Sequence, residues 1–383
     1  MRSLLKRIGG RMREDRAPRA DGILLLLILI LVTIGSVMVA SAGYAYAASR
    51  YGDSGYFTRK QLFFVVFGFL LMLIFSRISP ELIKRAALPL YLVTVLLLLA
   101  TLAFGLTGNG AQRWIALGPF TFQPSELAKL SLVLALARYY DIYQKGFSQK
   151  KHPLLRSVGI PLAITGLLCV LVVLQRHLSG LIIIASIGIV LMFLSGAPLK
   201  PLGALCGMGV LGVGTLALTL DYARERVTVW QNPAAYPLEG GWQTLQGLMA
   251  IGSGGFFGLG LGKSRLKHSW VSEPANDFIF TITCEELGFL GASSILLLFF
   301  LFIRRGYQIG TRTDDVFEKT VALGITSKVA IQVLLNIAVI TNSIPNTGIS
   351  LPFFSYGGSS LLMLFAEMGI LLAISRHSTL SYR

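Results

Sequence analysis

The run ILLLLILILVTIGSVMVA, from Ile23 to Ala40, is 18 residues without a charge. A bilayer core of about 30 Å needs roughly 20 helical residues to cross it. A cleavable signal segment usually has an apolar stretch of only about 7–15 residues. This run is longer, so it reads as an uncleaved membrane anchor, although basic residues precede it and an A-x-A-like triplet, Ala45-Tyr46-Ala47, follows it.

Working outward, the same pattern recurs. Further apolar runs fall at 61–77, 85–107, 121–140, 159–175, 179–195, 200–220, 278–303, 318–342 and 355–375, giving ten spans with the first at 22–43. Spans 5 and 6 are separated by a few residues around Arg176-His177, which predicts a tight hairpin. Of the 383 residues, 54% are hydrophobic and 14% charged. Soluble domains carry about a quarter charged residues. So many apolar helices leave no polar face for water, which excludes a soluble bundle. The expected fold is an all-α polytopic membrane protein: a basic tail over 1–20, then one transmembrane domain over 21–383.

The net charge of +16 would suggest nucleic acid in a soluble protein. Here loop bias accounts for it. With the N-terminus in the cytoplasm, 22 Lys and Arg fall on the inner side and ten outside, the asymmetry that sets membrane orientation. Both termini are then cytoplasmic, and no nucleic-acid partner is expected. The Arg-rich tail (Arg2, Lys6, Arg7, Arg11, Arg13) suits anionic membrane lipid. Three Cys and four His exclude a disulfide scaffold and offer no metal-ligand spacing.

One loop is long: 221–277, between spans 7 and 8, on the outer face. It carries Trp230, Tyr236, Trp242 and Trp270, residues suited to a membrane interface. Residues 242–251 read as an amphipathic helix along the outer leaflet, with Leu245, Leu248 and Met249 on one side and Gln243 and Gln246 on the other. Then come Gly252-Ser253-Gly254-Gly255, Gly258, Gly260, Gly262 and Lys263-Ser264. A P-loop would need glycine at 257, which is Phe257. Two readings stay open: a backbone cradle for phosphate, aided by Lys263, Arg265 and Lys267, or a re-entrant turn needing positive φ. The loop ends in Glu273-Pro-Ala-Asn-Asp277. Asp277 stands at the outer mouth of span 8, either as a general base or as a helix N-cap.

Ionisable residues inside spans are expensive and point to function. They are Glu126 and Lys129 in span 4, Glu285 and Glu286 in span 8, Lys328 in span 9 and Glu367 in span 10. Glu126 and Lys129, at i and i+3, share a helix face. They form either a self-neutralising pair or a polar floor offering a cation to an anionic ligand. Glu285 and Glu286 require partners, with Lys328 a candidate. The group predicts a polar pocket within the bundle.

Four segments carry a resemblance: Arg113-Trp114-Ile115 with Phe122-Gln123-Pro124-Ser125-Glu126; Ala250-Ile251-Gly252-Ser253-Gly254-Gly255; Asn276-Asp277-Phe278-Ile279-Phe280 with Glu285-Glu286-Leu287-Gly288; and Leu351-Pro352-Phe353-Phe354-Ser355-Tyr356-Gly357-Gly358-Ser359-Ser360. Together they resemble the SEDS proteins of shape, elongation, division and sporulation (FtsW, RodA and their sporulation counterparts), over nearly all of the chain past residue 20. The resemblance implies ten spans, a large outer loop between spans 7 and 8, and a bacterial cytoplasmic membrane. It implies a peptidoglycan glycosyltransferase that polymerises lipid II at the outer face beside a class B penicillin-binding protein. The family's essential Asp falls on Asp277, which favours the base over the cap. Its intramembrane Glu and Lys fall on Glu126 and Lys129. The chain leans towards the division or sporulation branch. It departs from the family at Gln175-Arg176-His177, where a Pro and an acid are customary.

On that reading Asp277 is the catalytic base of an inverting transfer. Lys129, Lys267, Arg224 and Arg226 are candidates for phosphate charge, and Glu126, Gln246, Ser253 and Glu285 complete the expected substrate contacts. No metal ligands are assigned, though a magnesium or manganese ion could assist. A lipid II flippase or other transporter is the competing class, since ten spans with intramembrane charges also suit a carrier.

Overall fold

The computed structural model describes residues 20–108, 111–118, 120–146, 154–219, 221–236, 240–268 and 274–378. The expectations placed on the basic tail, Trp270 and Glu273 lie outside these residues. The described residues are mostly helical, with one small sheet. The long helices are α1 (Gly22–Tyr51), α2 (Tyr56–Phe75), α3 (Pro80–Phe104), α4 (Pro124–Gly146), α5 (Ile160–Leu174), α6 (Leu178–Leu194) and α7 (Leu199–Thr219). Two shorter helices follow, α8 (Asp221–Gln231) and α9 (Gly240–Ser253), and then α10 (Ile279–Thr311), α11 (Val316–Ile340) and α12 (Gly358–Ser375).

Among the described residues, seven helices are long and apolar enough to cross a membrane. The chain is a multi-pass membrane protein. Of the ten expected spans, α4 carries charges, α5 reaches spanning length only with the helical turn Leu155–Gly159 before it, and α6 and the apolar part of α7 are shorter than 18 residues. The helices turn apolar side chains outward, as lipid contact requires: Leu62, Val66, Leu70, Leu96 and Phe300 are all exposed. The centre is formed by α11 and α12, the most buried of the spanning helices.

Sequence periodicity did not anticipate the sheet. Strands β1 (Leu106–Gly108), β2 (Ala111–Leu117) and β3 (Phe120–Phe122) form an antiparallel meander in that order. It delivers the chain to Pro124 at the first turn of α4, where a missing N–H costs nothing. At the opposite end of the bundle, Asp21 caps α1 by accepting from the Leu24 N–H at 2.8 Å, and also pairs with Arg305 at 2.5 Å. Lys84 and Asp141 form a second ion pair there.

The eighth expected span is not one continuous helix. Gly288 has φ +67° and ψ −170°, which breaks α10. The turn after α9 fills the break. Its Leu259 and Gly260 N–H groups donate to the Glu285 and Glu286 carbonyls at 3.0 and 2.9 Å. The Phe289 and Leu290 N–H groups, which an unbroken helix would aim at those same carbonyls, donate instead to Gly255 and Phe256 at 2.9 and 3.1 Å. Backbones this close exclude a Cβ: one added at Gly288 would lie 2.2 Å from the Gly258 nitrogen.

Gly288→Ala is therefore expected to destabilise the protein by about 2 kcal/mol or more, from positive φ and backbone overlap together. Gly166→Ala, with open space around it, should be neutral or mildly stabilising. Thermal melts of the two purified variants in detergent check this. Equal melting temperatures would show that the break is not held by this packing.

Candidate functional site

Asp277 lies in the turn leading into α10 and is half-buried. The helix begins at Ile279, with Phe278 at the N-cap and no side-chain cap bond. The cap position thus falls one residue beyond Asp277. A loop from the end of α11 to the start of α12 surrounds the turn. Asn336, fully buried on α11, donates through Nδ2 to the Asp277 carbonyl at 2.9 Å and the Ile349 carbonyl at 2.7 Å. Ser355 Oγ donates to the Asn276 carbonyl at 2.8 Å, and the Tyr356 N–H to that of Ala275 at 2.8 Å. Gly348, at φ +68°, passes beside the carboxylate; a Cβ there would stand 3.4 Å from Asp277 Oδ2. The successive carbonyls of Ala275, Asn276 and Asp277 are thus all held by hydrogen bonds, which fixes the backbone that carries the carboxylate.

The unusual turn at Gln175-Arg176-His177 reaches the same loop. Arg176 adopts φ +54°, and its carbonyl accepts from Arg113 Nη2 at 2.6 Å. Ser179 donates to the Thr347 carbonyl. The turn therefore rests on a left-handed residue whose carbonyl Arg113 holds.

Inside the bundle the charges pair. Lys129 donates to Glu126 at 2.7 Å, and Lys328 to Glu367 at 2.6 and 2.7 Å, all four side chains being buried. The expectation that Lys328 partners the span-8 carboxylates is corrected: its partner is Glu367. Glu126 and Lys328 both line a cavity of about 20 Å³ with Gln332, Ser350 and Ser355, room for about one water.

Glu285 and Glu286 turn to the Gly-rich segment. Glu286 accepts from the Gly262 N–H at 3.0 Å, the Ser264 N–H at 3.3 Å and Lys267 Nζ at 2.9 Å. Glu285 accepts from the Arg265 N–H at 2.9 Å and the Ser264 hydroxyl at 2.5 Å. The anion that this turn cradles is the protein's own, and Gly255, Gly258, Gly260 and Gly262 all take the positive φ that the re-entrant-turn reading requires. Lys267 Nζ reaches three acceptors: Glu286, the Gly262 carbonyl at 2.7 Å and Ser41 Oγ at 3.2 Å. All three ammonium protons are thereby spent within the protein.

The remaining candidates are dispersed. Arg226, on α8, donates to the Asn346 carbonyl two residues before Gly348. Arg224 is exposed on the same helix, and Gln246 is buried on α9. Ser253 Oγ returns to the Ala250 carbonyl at 3.0 Å. The amphipathic helix at 242–251 forms as α9. Its Thr244, Gln246 and Ala250 face the protein, while Met249 faces outward, the polarity that a lipid neighbour imposes. Sequence reasoning overlooked Asn336 and Gly348. An Asn within an apolar span was the available signal for the first. Among the described residues, no cluster of three His, Cys, Asp or Glu could hold a metal ion.

These features define a polytopic helical membrane protein with one carboxylate fixed at a helix mouth and its other intramembrane charges internally paired. The sequence model of the cell cycle proteins FtsW, RodA and SpoVE matches residues 22–380. The chain belongs to this family, the SEDS proteins, a family of peptidoglycan glycosyltransferases. It is 37% identical to stage V sporulation protein E of Bacillus subtilis, over 94% of this chain and 97% of that protein. It is 36% identical to a probable peptidoglycan glycosyltransferase FtsW of Trichlorobacter lovleyi, over 94% of each. Among solved structures, the rod shape determining protein RodA of Thermus thermophilus superposes with a TM-score of 0.70 at 28% identity, over 94% of this chain and 98% of that one. A chain from a structure titled for the coordination of polymerization and crosslinking by a peptidoglycan synthase complex superposes with a TM-score of 0.77 at 28% identity, over 93% and 98%.

Glu286→Gln should leave Lys267 buried without a counter-charge, a change that costs about 3–5 kcal/mol when a buried pair is broken. The turn should loosen, so limited trypsin digestion should cut after Arg265 or Lys267 in the variant well before the wild type. Identical digestion would refute the clamp.

Proposed function

We propose that the chain polymerises lipid II at the outer face of the bacterial cytoplasmic membrane, with Asp277 as general base. The observation that carries this reading is the half-buried Asp277 carboxylate, pinned at the mouth of α10 and approached by Gly348. The acceptor hydroxyl gives its proton to Asp277 as its oxygen attacks the anomeric carbon of the donor. The bond from that carbon to pyrophosphate breaks, and the electron pair leaves with the undecaprenyl pyrophosphate. Attack opposite the leaving group inverts the centre. Pyrophosphate needs little protonation to depart, so a single carboxylate suffices, unlike the pair used in glycoside hydrolysis.

The lipid tail has a place to lie. An apolar groove of about 830 Å³ runs between α2, α3, α4 and α12, lined by Phe63, Phe67, Phe75, Leu82, Leu130 and Met363 among others. From Phe63 to Phe75 it follows α2 for about 18 Å at 1.5 Å per residue, more than half the hydrocarbon thickness. Lys60 stands one turn beyond Phe63 and Phe64 on the same helix, where a cation would meet lipid phosphate. Arg224, exposed on α8, is a second phosphate candidate. Lys129 adds no net charge while Glu126 balances it.

The partner is proposed to be a class B penicillin-binding protein that cross-links the product, a reading supported by the likeness to a chain of a peptidoglycan synthase complex. Purified protein given lipid II, alone and with such a partner, should make glycan strands. Asp277→Asn should fold and bind the partner but polymerise about 10²–10⁴ times more slowly. Equal polymer from both proteins would remove Asp277 from the chemistry.

A further inference from the structure

A second cavity lies between α8 and α9, beside the loop that faces Asp277. It measures about 200 Å³ and is lined by Glu225, Arg226, Trp230, Gln243, Thr244 and Asn346, with Val229. That is smaller than the roughly 300–1,000 Å³ of sites for drug-sized ligands, so it suits one ring.

Its walls are built by a connected set of bonds. Arg226 donates to the Asn346 carbonyl, and Asn346 Nδ2 donates to Gln243 Oε1 at 3.2 Å. The Gly348 N–H donates to Asn346 Oδ1 at 3.1 Å. Trp230 Nε1 donates to the Asn342 carbonyl at 2.9 Å. With its one N–H used there, the indole can offer a ligand only carbon surface. The lining thus combines an aromatic ring with two amides, a hydroxyl, a carboxylate and a guanidinium. Glu225 and Arg226 together leave the lining without net charge, so a phosphate or other anion gains no net attraction there. A neutral ring with several hydroxyls and an amide would be matched.

The cavity is also close to the chemistry. Asn346 forms part of its wall, and Gly348, two residues on, passes the Asp277 carboxylate. Two residues span at most about 7 Å, so the cavity wall and the segment that passes the carboxylate belong to one short stretch of loop.

We propose that this cavity is a saccharide subsite. It holds the terminal N-acetylated hexosamine ring of the acceptor and turns that ring's free hydroxyl towards Asp277. The proposal rests on the glycosyl-transfer reading and adds to it where the sugar is recognised. Phosphate and sugar are then read apart, the lipid phosphates by cations near the membrane and the acceptor ring by the α8–α9 cavity, whose lining carries no net charge.

Saturation-transfer NMR on the full-length protein in detergent, with the disaccharide of N-acetylglucosamine as probe, tests this. Transfer to the acetyl methyl protons is expected for the wild type and for Asp277→Asn, since binding does not need the base. Thr244→Val removes a buried hydroxyl at constant shape, and Glu225→Ala alters an exposed helix position. Each should weaken the probe's affinity roughly three- to tenfold, the worth of a typical hydrogen bond. Each should also raise KM for lipid II with little change in kcat. Absence of transfer in the wild type, or undiminished transfer in both cavity variants, would overturn the proposal. Continued polymerisation by Asp277→Asn would instead remove the base, and the saccharide signal would still report on the cavity.

Discussion

Inside a bilayer every backbone N–H and C=O must find its partner within the protein, and this constraint shapes the molecule at α10. The helix gives up two of its own bonds at Gly288, and the turn after α9 supplies replacements in both directions. The helix and the re-entrant turn are therefore incomplete without each other. Two consecutive glutamates complete the arrangement, because their carboxylates take the N–H groups of Gly262, Ser264 and Arg265 that the turn leaves over. Lys267 then offsets part of the charge. What looks from outside like a functional anion site is the support for a broken membrane helix. Asp277 sits at the mouth of that same helix.

The other intramembrane charges follow the same economy. Lys129 with Glu126, and Lys328 with Glu367, are paired within hydrogen-bond distance and buried. Pairs of this kind are weak evidence for stability, because desolvation offsets much of the attraction. Their effect here is positional. Glu126 and Lys328 share one small cavity with Ser350 and Ser355, and Ser355 reaches back to the Asn276 carbonyl next to Asp277. The paired core and the proposed base are thus joined through the loop before α12. On the side of α4 that carries Leu127, Leu130 and Leu134, the helix lines the apolar groove, so it borders a polar cavity and a lipid slot at once.

How much of this was legible in the sequence depends on the kind of signal. Apolar run length located the long helices, because spanning length is a one-dimensional property. The amphipathic α9 was legible for the same reason. The sheet at 106–122 was not, since strands of three to seven residues carry too little pattern beside so many apolar helices. The break at Gly288 was hidden, because apolar residues resume beyond Glu285 and Glu286 and complete a spanning length, and only a partner 30 residues away reveals its purpose. Partner choice was likewise illegible: Lys328 and Glu367 are 39 residues apart, and no spacing rule joins them. Asp277 was found by its place at a helix mouth and by resemblance. The Asn336 and Gly348 contacts that fix it come from a different part of the chain.

The proposed substrate is amphiphilic, and the features that suit it lie on different parts of the protein. Its tail needs a long dry surface, which the groove beside α2 offers. Its phosphates need cations where lipid meets water, and Lys60 stands one turn beyond that groove. Its sugars need hydrogen-bonding groups without net charge, as line the cavity between α8 and α9. A single pocket serving all three would have to bury charge in hydrocarbon or expose apolar surface to water, and either would cost free energy. Separating them lets each part of the substrate be held in the medium that suits it. On the proposed mechanism the catalytic demand reduces to one carboxylate placed beside the sugar. The hydrogen bonds that hold the backbone of Asp277 suit that role, and no second acid is needed beside it.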